Sequence, residues 1–167
     1  MNDKRLRIYL NDHLALMVGE MELAARCHRS NKGTSLGRFL EVLEADLADQ
    51  ESKLKDVIDK VDGKGGIESK VKQGAAWFTE KLGRFKLNDS LLTYSALSRV
   101  VELETLAAAA QERVALWDSL AALMEADHRL QKFDCFALRD QSKKLLTKLN
   151  SRRRRAAVEA FVEEPDT

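Results

Sequence analysis

The sequence predicts an all-α fold, a bundle of four long helices. The clearest observation is the stretch from Asn88 to Met124, which contains neither glycine nor proline and is apolar at successive helical turns. Its apolar stripe comprises Ala96, Val100, Leu103, Ala107, Ala110, Val114, Trp117, Ala121 and Met124. A second apolar row widens this face, and a helix that is apolar over so much of its circumference is surrounded by other helices. Three further stretches show helical apolar spacing, and the one proline, Pro165, lies near the end of the sequence.

The first helix is predicted from about Asp3 to Arg29. Its inward positions follow the alternating four- and three-residue spacing of a bundle seam: Leu6, Leu10, His13, Met17, Glu20, Ala24 and Cys27. Two of these positions are polar, so His13 and Glu20 are expected to point toward the interior. A turn around Gly33 follows, with Ser35 as the expected N-cap of the next helix.

The second helix is predicted from about Leu36 to Asp62, with an apolar stripe that Asp46 and Gln50 interrupt. It carries eight acidic residues, which we interpret as a solvated face paired in part with the basic fourth helix. Residues 63–88 form a long connection whose apolar spacing predicts a shorter helix. This connection is long enough to follow a long helix over about 40 Å. Its path, along the bundle or over one end, stays open.

The third helix is expected to begin at one of three capping residues, Asn88, Asp89 or Ser90. It is expected to end near residues 126–128, and the fourth helix to run from about Leu130 to Phe161. The fourth helix contains the run Arg152–Arg155, which falls on all its sides. We therefore expect one domain over residues 1–162 and a frayed tail over residues 163–167.

Composition narrows the class of protein. The chain has 167 residues, of which 44% are hydrophobic and 33% charged, and its net charge of +1 does not steer the whole molecule toward nucleic acid or an anionic membrane. The first residues contain no apolar signal segment, and no apolar run is long enough to span a bilayer. A cytoplasmic protein without membrane association is therefore expected. Cys27 and Cys135 are predicted to be reduced and buried.

Four short stretches carry a resemblance to a known family: Leu10 to Ala15 (LNDHLA), Leu36 to Glu41 (LGRFLE), Ala75 to Arg84 (AAWFTEKLGR) and Leu103 to Ala107 (LETLA). Through these stretches, within about residues 6–150, the chain resembles the ferritin-like superfamily, in particular an uncharacterised bacterial branch of it. Ferritin-like bundles consist of two long helical hairpins joined by a long connection. The resemblance implies a ferritin-like four-helix bundle with a partly helical connection between the second and third helices.

Metal-binding ferritin-like proteins hold two iron or manganese ions at mid-bundle, with a Glu from each of two helices and Glu-x-x-His from each of the other two. The carboxylates that match this set in part are Glu20, Asp46, Asp49, Glu102 and Glu104, with His13 as the nearest imidazole. The second and fourth predicted helices contain no histidine. The one Glu-x-x-His motif, at residues 125–128, lies at the end of the third helix. Most of the ligand set is therefore missing.

Three functional interpretations follow. The leading one is a non-enzymatic bundle protein that has lost its di-metal site, holds no cofactor and acts on a protein partner or as a homodimer. In it His13 and Glu20 belong to a buried polar network with Gln50, Gln141 or an arginine, a kind of network that fixes helix register. The alternative is a carboxylate-rich iron- or manganese-binding protein or oxidase that uses Glu20, His13, Asp46, Asp49, Glu102 and Glu104.

The third interpretation is phosphate or nucleic-acid contact through Arg152, Arg153, Arg154 and Arg155, near Lys143, Lys144 and Lys148. The near-neutral net charge and the lack of aromatic residues among these cations disfavour it.

Overall fold

The prediction of an all-α four-helix bundle is confirmed for the residues that the computed structural model describes, which are 1–62 and 94–162. Those residues contain no β-strand. The helices are α1 (Asp3–Ser30), α2 (Ser35–Asp62), α3 (Ala96–Leu123) and α4 (Cys135–Phe161). The predicted short helix in the connection and the predicted tail lie outside the described residues. None of the four described helices has the apolar run that crossing a bilayer requires.

Side-chain caps set all four helix starts. The side chains of Asn2, Ser95 and Asp134 accept hydrogen bonds from backbone N–H groups in the first turns of α1, α3 and α4. The predicted N-cap of α2, Ser35, is wrong: Ser35 is already helical, and the Thr34 hydroxyl accepts the hydrogen bond from the backbone N–H of Gly37 at 3.0 Å.

With Ser95 as its cap, the described part of α3 begins later than expected, and the predicted caps at residues 88–90 lie outside the described residues. The predicted start of α4 at Leu130 is wrong, because residues 128–132 form turns, Asp134 is the N-cap and the helix begins at Cys135. The end of α3, at Leu123, also lies a few residues before the predicted end near residues 126–128.

The turn between α1 and α2 depends on two glycines. Gly33 has a φ of 80°, a conformation that glycine adopts without strain. Gly37 lies in the first turn of α2, where a Cβ atom would be 2.3 Å from the backbone oxygen of Asn31. The first helical hairpin can close this tightly because residue 37 has no side chain.

Ion pairs establish the helix directions. Arg7 Nε, at the start of α1, lies 3.3 Å from Asp62 Oδ1, at the end of α2, so these two helices are antiparallel. Arg26 Nη2, near the end of α1, lies 2.8 Å from Glu102 Oε1, near the start of α3, so α1 and α3 are antiparallel as well.

The second hairpin is antiparallel too, since a hydrogen bond joins Arg99 near the start of α3 to Glu159 near the end of α4. Helices α2 and α3 consequently run parallel. Residues 62 and 94, which flank the connection, lie at opposite ends of the bundle.

In the described part of the chain, the core contains two apolar clusters, which lie one above the other along the bundle axis. One lies toward the α1–α2 turn and includes Leu23, Leu40, Leu103 and Leu149. The other lies toward the α3–α4 turn and includes Leu14, Leu54, Trp117 and Leu130. Between them, the interior is polar.

Candidate functional site

A layer of polar side chains crosses the middle of the bundle, and each helix contributes to it. Its members are Glu20 from α1, Gln50 from α2, Arg113 from α3 and Ser142 from α4, all with at most 2% of their surface exposed. Buried polar groups are costly unless they are hydrogen-bonded. The hydrogen bonds within this layer therefore have to offset the cost of burying its four polar side chains.

The centre of the layer is an ion pair between Glu20 and Arg113. Arg113 donates from Nε to Glu20 Oε2 at 2.7 Å and from Nη2 to Oε1 at 3.0 Å. This is the two-pronged geometry in which a guanidinium matches a carboxylate. Burial raises the pKa of Glu20, and the charge and hydrogen bonds of Arg113 oppose that rise. Both carboxylate oxygens thus already have a cationic partner.

Gln50 connects the remaining members of the layer. Its Oε1 accepts hydrogen bonds from Trp117 Nε1 at 2.8 Å and from the Ser142 hydroxyl at 3.0 Å. Arg113 Nη1 lies further away, 3.4 Å from the same oxygen. The Gln50 amide nitrogen donates to Gln141 Oε1 at 3.1 Å. Every polar end of Gln50 is therefore bonded.

The polar contacts continue from the layer toward the surface between α2 and α4. Gln141 receives the hydrogen bond from Gln50 and donates its own amide proton to Asp46 Oδ1 at 3.1 Å. Gln141 and Asp46 are both half-buried. The interruptions of the α2 stripe at residues 46 and 50 are therefore the positions at which α2 bonds to α4.

The structure brings together three of the four residues predicted for the polar network: Glu20, Gln50 and Gln141. The fourth, His13, lies two turns from Glu20, and no hydrogen bond joins it to the layer among the described residues. Its ring packs edge-on against Tyr9, with ring centroids 4.5 Å apart. Burial lowers the pKa of His13.

Arg113 is the residue that the sequence interpretation missed, although a signal for it was present. Leu106, Ala110, Arg113, Trp117 and Leu120 follow the alternating four- and three-residue spacing of a core seam. Arg113 is the one charged residue in that row. It pairs with Glu20, the buried charge on α1.

The residues of the metal-binding alternative do not converge. Glu20 is occupied by Arg113, and Asp46 accepts from Gln141. Asp49 is exposed and faces Lys53, whereas Glu104 lies 3.4 Å from Arg153 at the surface. In residues 1–62 and 94–162, no group of three or more His, Cys, Asp or Glu residues is placed to hold a metal ion. These residues do not fit a di-metal centre.

Glu102 belongs instead to a second polar cluster, near the α1–α2 turn. It accepts from Arg26 Nε at 3.0 Å and from the Tyr94 hydroxyl at 2.9 Å. The same hydroxyl accepts from Asn31 Nδ2 at 2.8 Å and lies 3.7 Å from Cys27 Sγ. Burial raises the pKa of the Cys27 thiol to about 12, so the thiol is protonated and unreactive. This cluster fastens the start of α3 to the end of α1.

The arginine run on α4 divides into two pairs. Arg152 lies over the ring of Phe39, 3.8 Å from its centroid, and Arg153 contacts Glu104, so both are held against neighbouring helices. Arg154 and Arg155 are exposed. Arg155 pairs with Glu159, one helical turn further along α4.

Comparison with known proteins identifies no relative of this chain. No protein-family model, curated protein or solved structure matches the chain. Inference about function therefore rests on the chain's own residues and their contacts.

Proposed function

We propose that this protein is a non-enzymatic, ferritin-like bundle protein whose former di-metal position is closed by an ion pair, and which acts through its outer helix surfaces. The observation that carries the proposal is the Glu20–Arg113 contact. A guanidinium occupies the middle of the bundle and takes both oxygens of the carboxylate that would otherwise be the first-helix metal ligand.

The helix order supports the ferritin-like type. Two antiparallel hairpins with α2 parallel to α3, and with residues 62 and 94 at opposite ends, are the arrangement that a long connection between hairpins produces. The sequence stretches that resemble this superfamily, such as residues 10–15, add to that support.

The closed centre also argues against a substrate site in the layer. The four side chains are buried, hydrogen-bonded to one another and packed between two apolar clusters. A reaction would need room and free polar atoms next to Glu20, and Arg113 fills that place. The outer surfaces of the helices remain as the functional surface. Through them the protein would bind a protein partner or a second copy of the chain.

Metal analysis tests the proposal directly. Protein purified without chelator is incubated with excess Fe²⁺ or Mn²⁺, passed through a desalting column and analysed for retained metal. We expect far less than one ion per chain, and the same result for Glu20→Gln, because Glu20 is not a metal ligand. Stoichiometric retention by the wild type that Glu20→Gln abolishes would overturn the proposal.

The proposed homodimer has its own test. Light scattering during gel filtration is expected to give twice the mass of one chain over a range of concentrations. A single-chain mass at all concentrations would remove the homodimer and leave an unrelated protein as the partner.

A further inference from the structure

The outward face of α4 is a continuous array of hydrogen-bond donors. Its exposed positions from 143 to 155 are Lys143, Lys144, Thr147, Lys148, Ser151, Arg154 and Arg155. Five are cations, two are hydroxyls, and none is a carboxylate. At 1.5 Å per residue the array is about 18 Å long. We call these residues the α4 basic face.

The carboxylates that the structure describes next to the basic face are already engaged. Glu104 lies 3.4 Å from Arg153, and Glu159 accepts from Arg99 at 3.0 Å as well as from Arg155. Asp140 pairs with Arg139. Among the described residues, Lys143, Lys144, Lys148 and Arg154 make no ion pair within 4.0 Å. Within residues 1–62 and 94–162, no carboxylate therefore neutralises the charge of these four side chains.

We propose that the α4 basic face binds the phosphate backbone of double-stranded nucleic acid without regard to sequence. Lysine, arginine, serine and threonine are the side chains that contact phosphate oxygens, and such contacts position a protein without reading bases. The face has no exposed aromatic residue between its cations, and single-strand binding usually uses stacking on aromatic rings. A rigid helix with donors along one side suits a duplex.

Two other partners fit the face less well. A helix that lies in a membrane interface inserts its apolar side into the lipid, but the apolar side of α4, including Leu145 and Leu149, is buried in the bundle. Exposed apolar residues occur beyond the cations, at the last turn of the helix, where Phe161 is 68% and Val162 is 74% exposed. The centre of a protein interface is depleted of charged residues, whereas five of the seven exposed residues of this face are cations.

This inference goes beyond the proposed function and does not depend on the state of the mid-bundle layer. The test measures binding of the full-length protein to a fluorescent random-sequence duplex, by polarisation, at several salt concentrations between roughly 50 and 200 mM. One variant removes three exposed cations of the face: Lys144→Ala, Lys148→Ala and Arg154→Ala. The matched control removes three exposed cations far from the face: Lys4→Ala, Arg5→Ala and Lys60→Ala.

For the wild type we expect affinity that falls steeply with salt. The face variant should bind at least about tenfold more weakly, and its slope of log affinity against log salt should be shallower by about 3, since each phosphate contact contributes about 0.9. The control should lose no more than about threefold, because its charges are beyond the screening length.

Three outcomes would overturn the proposal. The first is wild-type protein that does not bind duplex at the lowest salt concentration. The second is equal weakening in the face variant and the control, which would indicate an effect of net charge alone. The third is binding to phosphatidylserine vesicles in place of duplex, lost on Phe161→Ser with Val162→Ser, which would assign this end of α4 to a membrane surface.

Discussion

Replacing both members of the buried ion pair should disturb the fold much less than replacing either one. The single variants are Glu20→Leu and Arg113→Met, and the double variant combines them. Each single change leaves a buried charge without its partner, since Glu20 is fully buried and Arg113 is 2% exposed. Such a change costs about 3–5 kcal/mol in the free energy of unfolding. For a chain of this size, that corresponds to a fall in Tm of about 6–20 °C.

The double variant should unfold with a free energy within about 1–2 kcal/mol of the wild type, or higher. Removing both charges together also removes the cost of taking them out of water, and apolar replacements of buried pairs are commonly neutral or stabilising. The rest of the layer loses only long contacts, since Arg113 Nη1 lies 3.4 Å from Gln50 Oε1 and 3.5 Å from Ser142 Oγ. Gln50 Oε1 keeps the 2.8 Å bond from Trp117 and the 3.0 Å bond from Ser142, whereas the contact that it loses, from Arg113, is the longest at 3.4 Å.

The two single variants should differ in their response to pH. In Arg113→Met, burial raises the pKa of Glu20 further, because the cation that opposed that rise is gone. The folded state then binds a proton more tightly than the unfolded state, so stability increases as the pH falls through the raised folded pKa toward the ordinary value of 4.5. In Glu20→Leu no such recovery occurs, since arginine does not lose its proton.

Urea denaturation followed by far-UV circular dichroism, near pH 7 and near pH 5, measures all four proteins. The sum of the single-variant losses should exceed the loss in the double variant by several kcal/mol. The reasoning would be refuted if the double variant were as unstable as the sum of the singles. It would also be refuted if either single change cost less than about 1 kcal/mol, which would mean that the charge is not buried as described.

Three further predictions concern other parts of the fold. Gly37→Ala should lower the free energy of unfolding by about 1–3 kcal/mol, because the new Cβ atom would meet the Asn31 carbonyl oxygen at 2.3 Å; an unchanged Tm would contradict this close approach. The Cys27 thiol, with its pKa raised to about 12, should react with a disulfide reagent near pH 8 only after unfolding in urea, and fast reaction of that thiol in the native protein would disprove its burial. Arg129→Met should destabilise the protein near pH 7 but not in acid. Arg129 Nη2 lies 2.6 Å from Asp127 Oδ2 in the turn before α4, and this hydrogen bond lowers the pKa of Asp127 from 3.8. The stabilisation is therefore present above pH 3.8 and is lost as the pH falls through the lowered pKa; an equal loss in urea denaturation at both pH values would count against the pairing.

The sequence was sufficient to predict the ends of α1 and α2. The observed ends of α1 and α2 lie within about one residue of the ends predicted from apolar spacing. Each of these helices contains no proline and only one glycine, so its apolar pattern runs from end to end. The start of α4 was misplaced because residues such as Leu130 and Phe133 continue an apolar pattern. Leu130 is indeed buried, but from within a turn, and Asp134 supplies the cap.

The site could be anticipated only in part. Glu20 and Gln50 were visible because each interrupts a regular apolar stripe. Their common partner, Arg113, lies in a stretch so rich in alanine and leucine that the apolar stripe predicted for the third helix does not include it. His13 occupies a seam position like Glu20, yet it packs on Tyr9, one turn away on the same helix. Spacing identifies the side of a helix that faces inward, but it does not determine which inward residues meet across the bundle.

The position of the polar layer explains why a buried pair of this kind suits a bundle with long, similar helices. Alanine- and leucine-rich stripes pack almost equally well after a shift of one helical turn, so apolar contacts alone define the register of α3 weakly. A one-turn shift would place the Arg113 guanidinium in one of the two apolar clusters and leave Glu20 unpaired. The cost of that misplacement is about 3–5 kcal/mol, a large fraction of the roughly 5–15 kcal/mol by which a domain is stable. The ion pair can therefore add little to stability, as the double variant would reveal, and still restrict the four helices to one alignment.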